Sequence, residues 1–126
     1  MIADTTFLID LHEEQASRRE GAASGFLARM RAAPIRVTII SAAEFAAGFD
    51  DLRAAREFLS RFPLIRLFPE AAFEASRIDR ELMRAGGRLG ENDNWIAGIA
   101  RYYGEPLISN DAAFHRVPGL RVHCYS

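Results

Sequence analysis

Apolar positions along this chain fall into two rhythms, short aliphatic or β-branched runs and longer stretches with apolar residues three and four apart. The two alternate from end to end. Met1 to Ala3 is a short apolar run that meets Asp4; Thr5 to about Glu13 reads as a helix, and Glu14 to Gly21 as its polar exit. Ala23, Phe26, Leu27 and Met30 mark a second helix that ends near Pro34, and Ile35 to Ile40 is a strand. Ser41 opens a third helix carrying Phe45 and Phe49, and Asp50 or Asp51 restarts the pattern with Leu52, Ala55, Phe58, Leu59 and Phe62 on one face until Pro63. Leu64 to Phe68 reads as a strand. Pro69 and Glu70 begin a long helix with the stripe Ala71, Ala75, Ile78 and Leu82, and Gly86-Gly87 ends it. Asn92 to Tyr103 is a further helix with Trp95, Ile96, Ile99, Ala100 and Tyr103 facing inward, closed by Gly104. Pro106 to Ser109 is a strand, Asp111 to His115 a single turn, and Leu120 to Cys124 a last strand.

Strands separated by helices predict an α/β fold with a parallel sheet covered on both faces. The first strand is expected at its centre, with later βα units wound outward. Asp4 then stands at a strand's carboxyl end, where open α/β sheets place their ligands.

Composition narrows the picture. At 126 residues and 49% hydrophobic, the chain suits a single domain over residues 1–126. No run approaches the ~18 apolar residues of a membrane span, and the start lacks a secretion-signal pattern, so a cytoplasmic protein is expected. One cysteine, Cys124, excludes an internal disulfide and a thiolate cluster for zinc. All 16 basic residues are arginine, and a formal charge of -1 argues against a broad, non-specific nucleic-acid surface.

Four acids stand out by position. Asp4 follows the first strand, Glu44 lies in the first turn of the helix after the second, Asp93 begins the helix before the strand Pro106 to Ser109, and Asp111 follows that strand. Each also fits a capping role, Ser41 and Glu44 as an S-x-x-E box and the others as acids at helix or turn starts. Capping explains an acid at each start, but not why four starts lie at one rim of a sheet. Carboxylates gathered there repel one another unless a cation sits between them. An all-oxygen donor set suits Mg²⁺ or Mn²⁺ better than zinc, and His12, His115 and His123 share no ligand spacing. The chemistry such a site favours is phosphodiester hydrolysis.

Asp4-Thr-Thr-Phe-Leu-Ile-Asp10, Ser41-Ala-Ala-Glu44 with Gly48, Asn92-Asp-Asn-Trp-Ile-Ala-Gly-Ile-Ala100, and Ser109-Asn-Asp111 with Phe114 and Pro118-Gly-Leu120 occur in this order. In them the chain resembles the PIN-domain ribonucleases, specifically the VapC-type toxins of bacterial toxin–antitoxin pairs. The resemblance spans nearly the whole chain. It implies a three-layer α/β/α sandwich with a mainly parallel central sheet, RNA cleavage with Mg²⁺ or Mn²⁺, a homodimer, and inhibition by a partner antitoxin. It assigns metal binding and catalysis to Asp4, Glu44, Asp93 and Asp111, with the hydroxyls of Thr5 and Ser109 orienting carboxylates or water and Asn110 in support. Asp10 also matches acids of similar toxins. Gly98 stands where alanine is frequent, a helix-propensity difference of ~1 kcal/mol at most. Arg84 and Arg88, flanking Gly86-Gly87, are candidate RNA contacts. Two other readings stand beside it: a dimeric interaction module that keeps the fold and whose acids only cap helices, and a phosphotransfer or phosphatase α/β domain with Asp4 as nucleophile. The second is weakened because the chain has no lysine to steady a phosphoaspartyl group.

Overall fold

The computed structural model describes all 126 residues. Five short strands, β1 (Ile2–Ala3), β2 (Arg36–Thr38), β3 (Leu64–Ile65), β4 (Leu107–Ile108) and β5 (Val122–His123), form one sheet in the order β3-β2-β1-β4-β5. Every pairing is parallel, and β1 is central as its position in the chain predicts.

Six helices flank the sheet: α1 (Thr5–Ala16), α2 (Ala22–Arg29), α3 (Ile39–Ala47), α4 (Leu52–Leu59), α5 (Pro69–Arg84) and α6 (Glu91–Tyr103). A 3-10 turn, Ala112–Arg116, links β4 to β5. Side-chain alternation along the strands divides the core. Ala3, Val37 and Ile108 face a layer built from Phe7, Leu8 and Leu11 of α1, Phe26 of α2, Phe45 of α3 and Phe58 of α4. Ile2 and Leu107 face the opposite layer, built from Ile78 and Leu82 of α5 and Ile96, Ile99 and Ala100 of α6. The result is the α/β/α sandwich.

Element boundaries depart from the sequence pattern where polar groups decide them. Helix α1 continues to Ala16, three residues past Glu13. The expected strand Ile35 to Ile40 stops at Thr38, because Thr38 Oγ1 accepts the Ser41 amide at 3.1 Å and starts α3 at Ile39. Thr38 is therefore the cap, the S-x-x-E box does not form, and Glu44 sits in the second turn of α3 rather than the first. Strand β3 is two residues long, not five, and it is a sheet edge on which Leu64 remains half exposed. Leu52 is exposed rather than core-facing. Trp95 is only half-buried and Tyr103 is 42% exposed. The Arg36 guanidinium lies 4.6 Å over the Tyr103 ring, so a cation rather than the core covers that face.

Helices α5 and α6 cross at unusually close range. A Cβ on Gly98 would lie 2.6 Å from Ala75 Cβ and 2.8 Å from the Ala75 nitrogen. Glycine at this position is thus a packing requirement, more than the propensity effect the sequence suggests.

Candidate active site

The sheet register builds the site. Ala3 pairs with Ile108, so the residues that follow, Asp4 and Ser109, emerge side by side at the carboxyl rim. The Asp4 amide continues the ladder by donating to the Ile108 carbonyl at 3.0 Å. Ser109 Oγ donates to Asp4 Oδ2 at 2.8 Å, and the Thr5 amide donates to Asp4 Oδ1 at 2.7 Å. The four buried polar residues, Asp4, Thr38, Ser41 and Ser109, all lie at this end of the sheet, in its last strand residue, the turns after it or the helix start that follows. An apolar core has no use for such a concentration, which marks the rim as the polar end of the domain.

Around Asp4, three other segments contribute acids. Thr5 Oγ1 donates to Glu44 Oε1 at 2.6 Å, which ties the start of α1 to the second turn of α3. Asn92 Nδ2 donates to Glu44 Oε2 at 3.1 Å and brings in the start of α6. The Asp111 amide donates to Ser109 Oγ at 3.0 Å, so one buried hydroxyl holds both the Asp4 carboxylate and the loop that carries Asp111. Asp93 follows Asn92 in the first turn of α6.

The electrostatics show how near these acids stand. Burial, and then the charges of Asp111 and Glu44, raise the Asp4 carboxyl above the usual range, against the opposing Ser109 and Thr5 hydrogen bonds. Burial, followed by the charges of Asp4, Asp111 and Glu44, raises Asp93 from 3.8 to about 6. No hydrogen bond and no basic side chain offsets the shift at Asp93. Capping accounts for part of the group only: Asp4 caps α1 and Asp111 Oδ1 accepts the Ala113 amide at 2.9 Å, whereas Glu44 caps nothing and α6 has no side-chain cap.

No three acid, histidine or cysteine side chains converge closely enough, as they stand, to hold one ion. Glu44 and Asp111 accept hydrogen bonds from protein donors instead. The donor chemistry nevertheless fits a hard divalent cation: carboxylates only, with no cation of the protein among them. The groove beside Glu44, Asn92 and Asp93 is open to solvent on a scale of about 340 Å³.

Thr5 and Ser109 thus both bond to carboxylates of the group. Asn110 does not: its Oδ1 accepts the Tyr125 and Ser126 amides at 2.9 and 3.3 Å and holds the end of the chain. Asp10 is drawn away as well, since Tyr125 Oη donates to Asp10 Oδ2 at 2.5 Å. Arg88 makes a two-pronged bond to Asp79 at 2.9 and 2.8 Å, so its charge is paired, while Arg84 lies exposed in the last turn of α5. Thr38 and Asn92 were not singled out by sequence reasoning. A β-branched hydroxyl three residues before Ser41 was the available signal for Thr38; nothing local marks Asn92 as a partner of Glu44.

Comparison with known proteins agrees with this fold. The model of the family described as "PIN domain" matches residues 1–120. The tRNA(fMet)-specific endonuclease VapC of Salmonella typhimurium is 33% identical over 73 residues, covering 57% of this chain and 55% of that protein. Ribonuclease VapC2 of Haemophilus influenzae is 38% identical over 72 residues, covering 56% and 54%. The chain therefore matches about half the length of these curated relatives. Among solved structures, DNA-bound VapBC from Salmonella typhimurium superposes with a TM-score of 0.86 at 22% identity, over 99% of this chain and 97% of that one. FitAcB from Neisseria gonorrhoeae gives 0.81 at 14% identity, over 98% and 96%. At such identities the likeness speaks for the fold, which is shared nearly end to end. With the family match covering almost the whole chain and the acidic rim in place, this chain belongs to the PIN domain family.

Proposed function

We propose that this protein is a divalent-metal-dependent endoribonuclease and the toxin of a toxin–antitoxin pair, working as a homodimer that a partner antitoxin inhibits. One observation carries the reading: four carboxylates from four separate segments stand near enough at the carboxyl rim of a parallel sheet for their charges to raise Asp4 and Asp93, with no cation of the protein among them. The curated relatives named as ribonucleases support the choice of RNA as substrate.

Asp4, Glu44, Asp93 and Asp111 would hold Mg²⁺ or Mn²⁺, which when bound supplies Lewis acidity toward a phosphate oxygen and lowers the pKa of a coordinated water. The residues of the chain divide the remaining work. Ser109 and the Thr5 amide fix the Asp4 carboxylate, so that its orientation costs nothing further on binding. Thr5 Oγ1 and Asn92 hold Glu44 from two sides. Asp93 has no protein donor and is the carboxylate free to accept a proton from a water that attacks the phosphorus in line. No helix of the chain is long and apolar enough to cross a membrane.

The test is cleavage of RNA in Mg²⁺ by the purified wild type and by Asp93→Asn. Cleavage by the wild type and its loss in a folded variant are expected. If Asp93→Asn cuts RNA at the wild-type rate, the rim is not the active site.

A further inference from the structure

Beside the acidic groove, the cleft between α5 and α6 holds a second cavity of about 370 Å³, lined by Ser76, Asp79, Arg88, Glu91, Asn94 and Trp95 among others. That is within the ~300–1,000 Å³ of small-molecule sites. Glu91 lines both cavities, so the two adjoin at that residue.

We infer that this cavity is a nucleobase subsite, in which one unstacked base of the RNA lies against Trp95 and presents its exocyclic amino group to Glu91 and Asn94. The inference rests on the ribonuclease reading above and names how that site would hold its substrate.

Three features point to a base. The first is Trp95, which the helical pattern assigns to the core but which remains half-buried in the cavity wall. Aromatic side chains in this situation are stacking platforms for single-stranded nucleic acid. The second is Asn94. Its Nδ2 donates to the Ala75 carbonyl at 2.8 Å, which fixes the amide, and its Oδ1 is buried without any donor. A buried acceptor with no donor from the protein is one that a water or a ligand group satisfies, and a base amino group can replace such a water. The third is the balance of charge. Arg88 is paired with Asp79 by its two-pronged bond, so that with Glu91 the lining is negative on balance, which disfavours a phosphate, while the Glu91 carboxylate is available as an acceptor. A lining that is negative on balance and offers acceptors favours the donor edge of a base over a phosphate. Adenine, cytosine and guanine carry an amino group; uracil does not.

Trp95 is the only tryptophan in the chain, so 5-fluorotryptophan labelling gives a single ¹⁹F resonance located in the cavity. The experiment uses the full-length Asp93→Asn protein in Mg²⁺, which leaves the oligonucleotide intact, titrated with single-stranded RNA hexamers of A, C or U. The resonance is expected to shift with the A and C hexamers at concentrations at least about tenfold below those needed for U. In parallel, Trp95→Leu in the otherwise wild-type protein is expected to raise KM for RNA about tenfold with kcat little changed, while Trp95→Phe, which keeps the ring, stays near wild type. No shift with any hexamer, or an equal response to U, overturns the inference, as does a Trp95→Leu variant with unchanged KM. The two readings fail separately. RNA cleavage by the wild type with a silent resonance rejects the subsite and leaves the nuclease. A base-dependent shift in Asp93→Asn, alongside a wild type that cuts no RNA, rejects the nuclease.

Discussion

Replacing Asp93 by asparagine should stabilise the metal-free protein at neutral pH. In the folded state Asp93 titrates at about 6 rather than 3.8, chiefly through burial and then through the charges of Asp4, Asp111 and Glu44. Between those values the native state keeps a proton that the unfolded chain has released. The raised value therefore favours folding below about pH 4, and that contribution is lost as pH rises through 6. The full displacement from 3.8 to about 6 corresponds to about 3 kcal/mol at 1.36 kcal/mol per pH unit. Asp93 is half-exposed, and solvent screening reduces this to about 1 kcal/mol. Asparagine matches the shape and never ionises, so it avoids the loss. Urea or thermal unfolding in EDTA, followed from pH 4 to 7.5, should show Asp93→Asn more stable by about 1 kcal/mol at pH 7, a few degrees in Tm, with no difference at pH 4. Saturating Mg²⁺ should reverse the order, because an ion that binds the native wild type more tightly than the variant stabilises the wild type more by mass action. A variant no more stable than wild type at pH 7, or equally stabilised at pH 4, would refute the repulsion on which the site rests.

Other consequences are checked as directly. Ser109→Ala removes the donor to Asp4 and the acceptor of the Asp111 amide together; a loss of about 1–3 kcal/mol in urea unfolding is expected, with RNA cleavage reduced about tenfold or more. Gly98→Ala gains helix propensity but drives a methyl group into Ala75, and calorimetry should show a net loss of about 1–3 kcal/mol rather than a gain. Glu14→Ala takes away the carboxylate that accepts the Ala23 and Ser24 amides at 3.2 and 2.8 Å. Helix α2 has no cap of its own, so a cost of about 1 kcal/mol is expected, with faster amide exchange in its first turn.

The sequence carried the architecture because the fold rests on local rhythms. The stripe Ala71, Ala75, Ile78 and Leu82 is buried as its spacing predicts, and Gly104 closes α6 in the left-handed conformation at φ 65°. Misjudged boundaries were those that one polar atom settles. Thr38 Oγ1 ends β2 and starts α3 two residues early, which a count of β-branched residues reads as strand. The site was legible as far as backbone position determined it: Asp4, Asp93 and Asp111 fall at rim positions fixed by strand ends and a helix start. Side-chain partnerships across the fold were not. Asn92 to Glu44, Tyr125 to Asp10 and Asn110 to the chain end depend on which segments the sheet order brings together, and no spacing encodes that. Trp95 and Tyr103 show the same limit from the apolar side, since helical period gives a direction but not what stands there.

The central claim is that the four rim acids form one divalent-metal site. Isothermal titration of the metal-free protein with Mn²⁺, compared with Asp93→Asn and an Asp4→Asn, Asp93→Asn double variant, tests it without recourse to any RNA. Saturable binding by the wild type, weakened at least tenfold in the single variant and absent in the folded double variant, is the expected result. A wild type that binds no Mn²⁺, or a double variant that binds it as tightly, contradicts the claim.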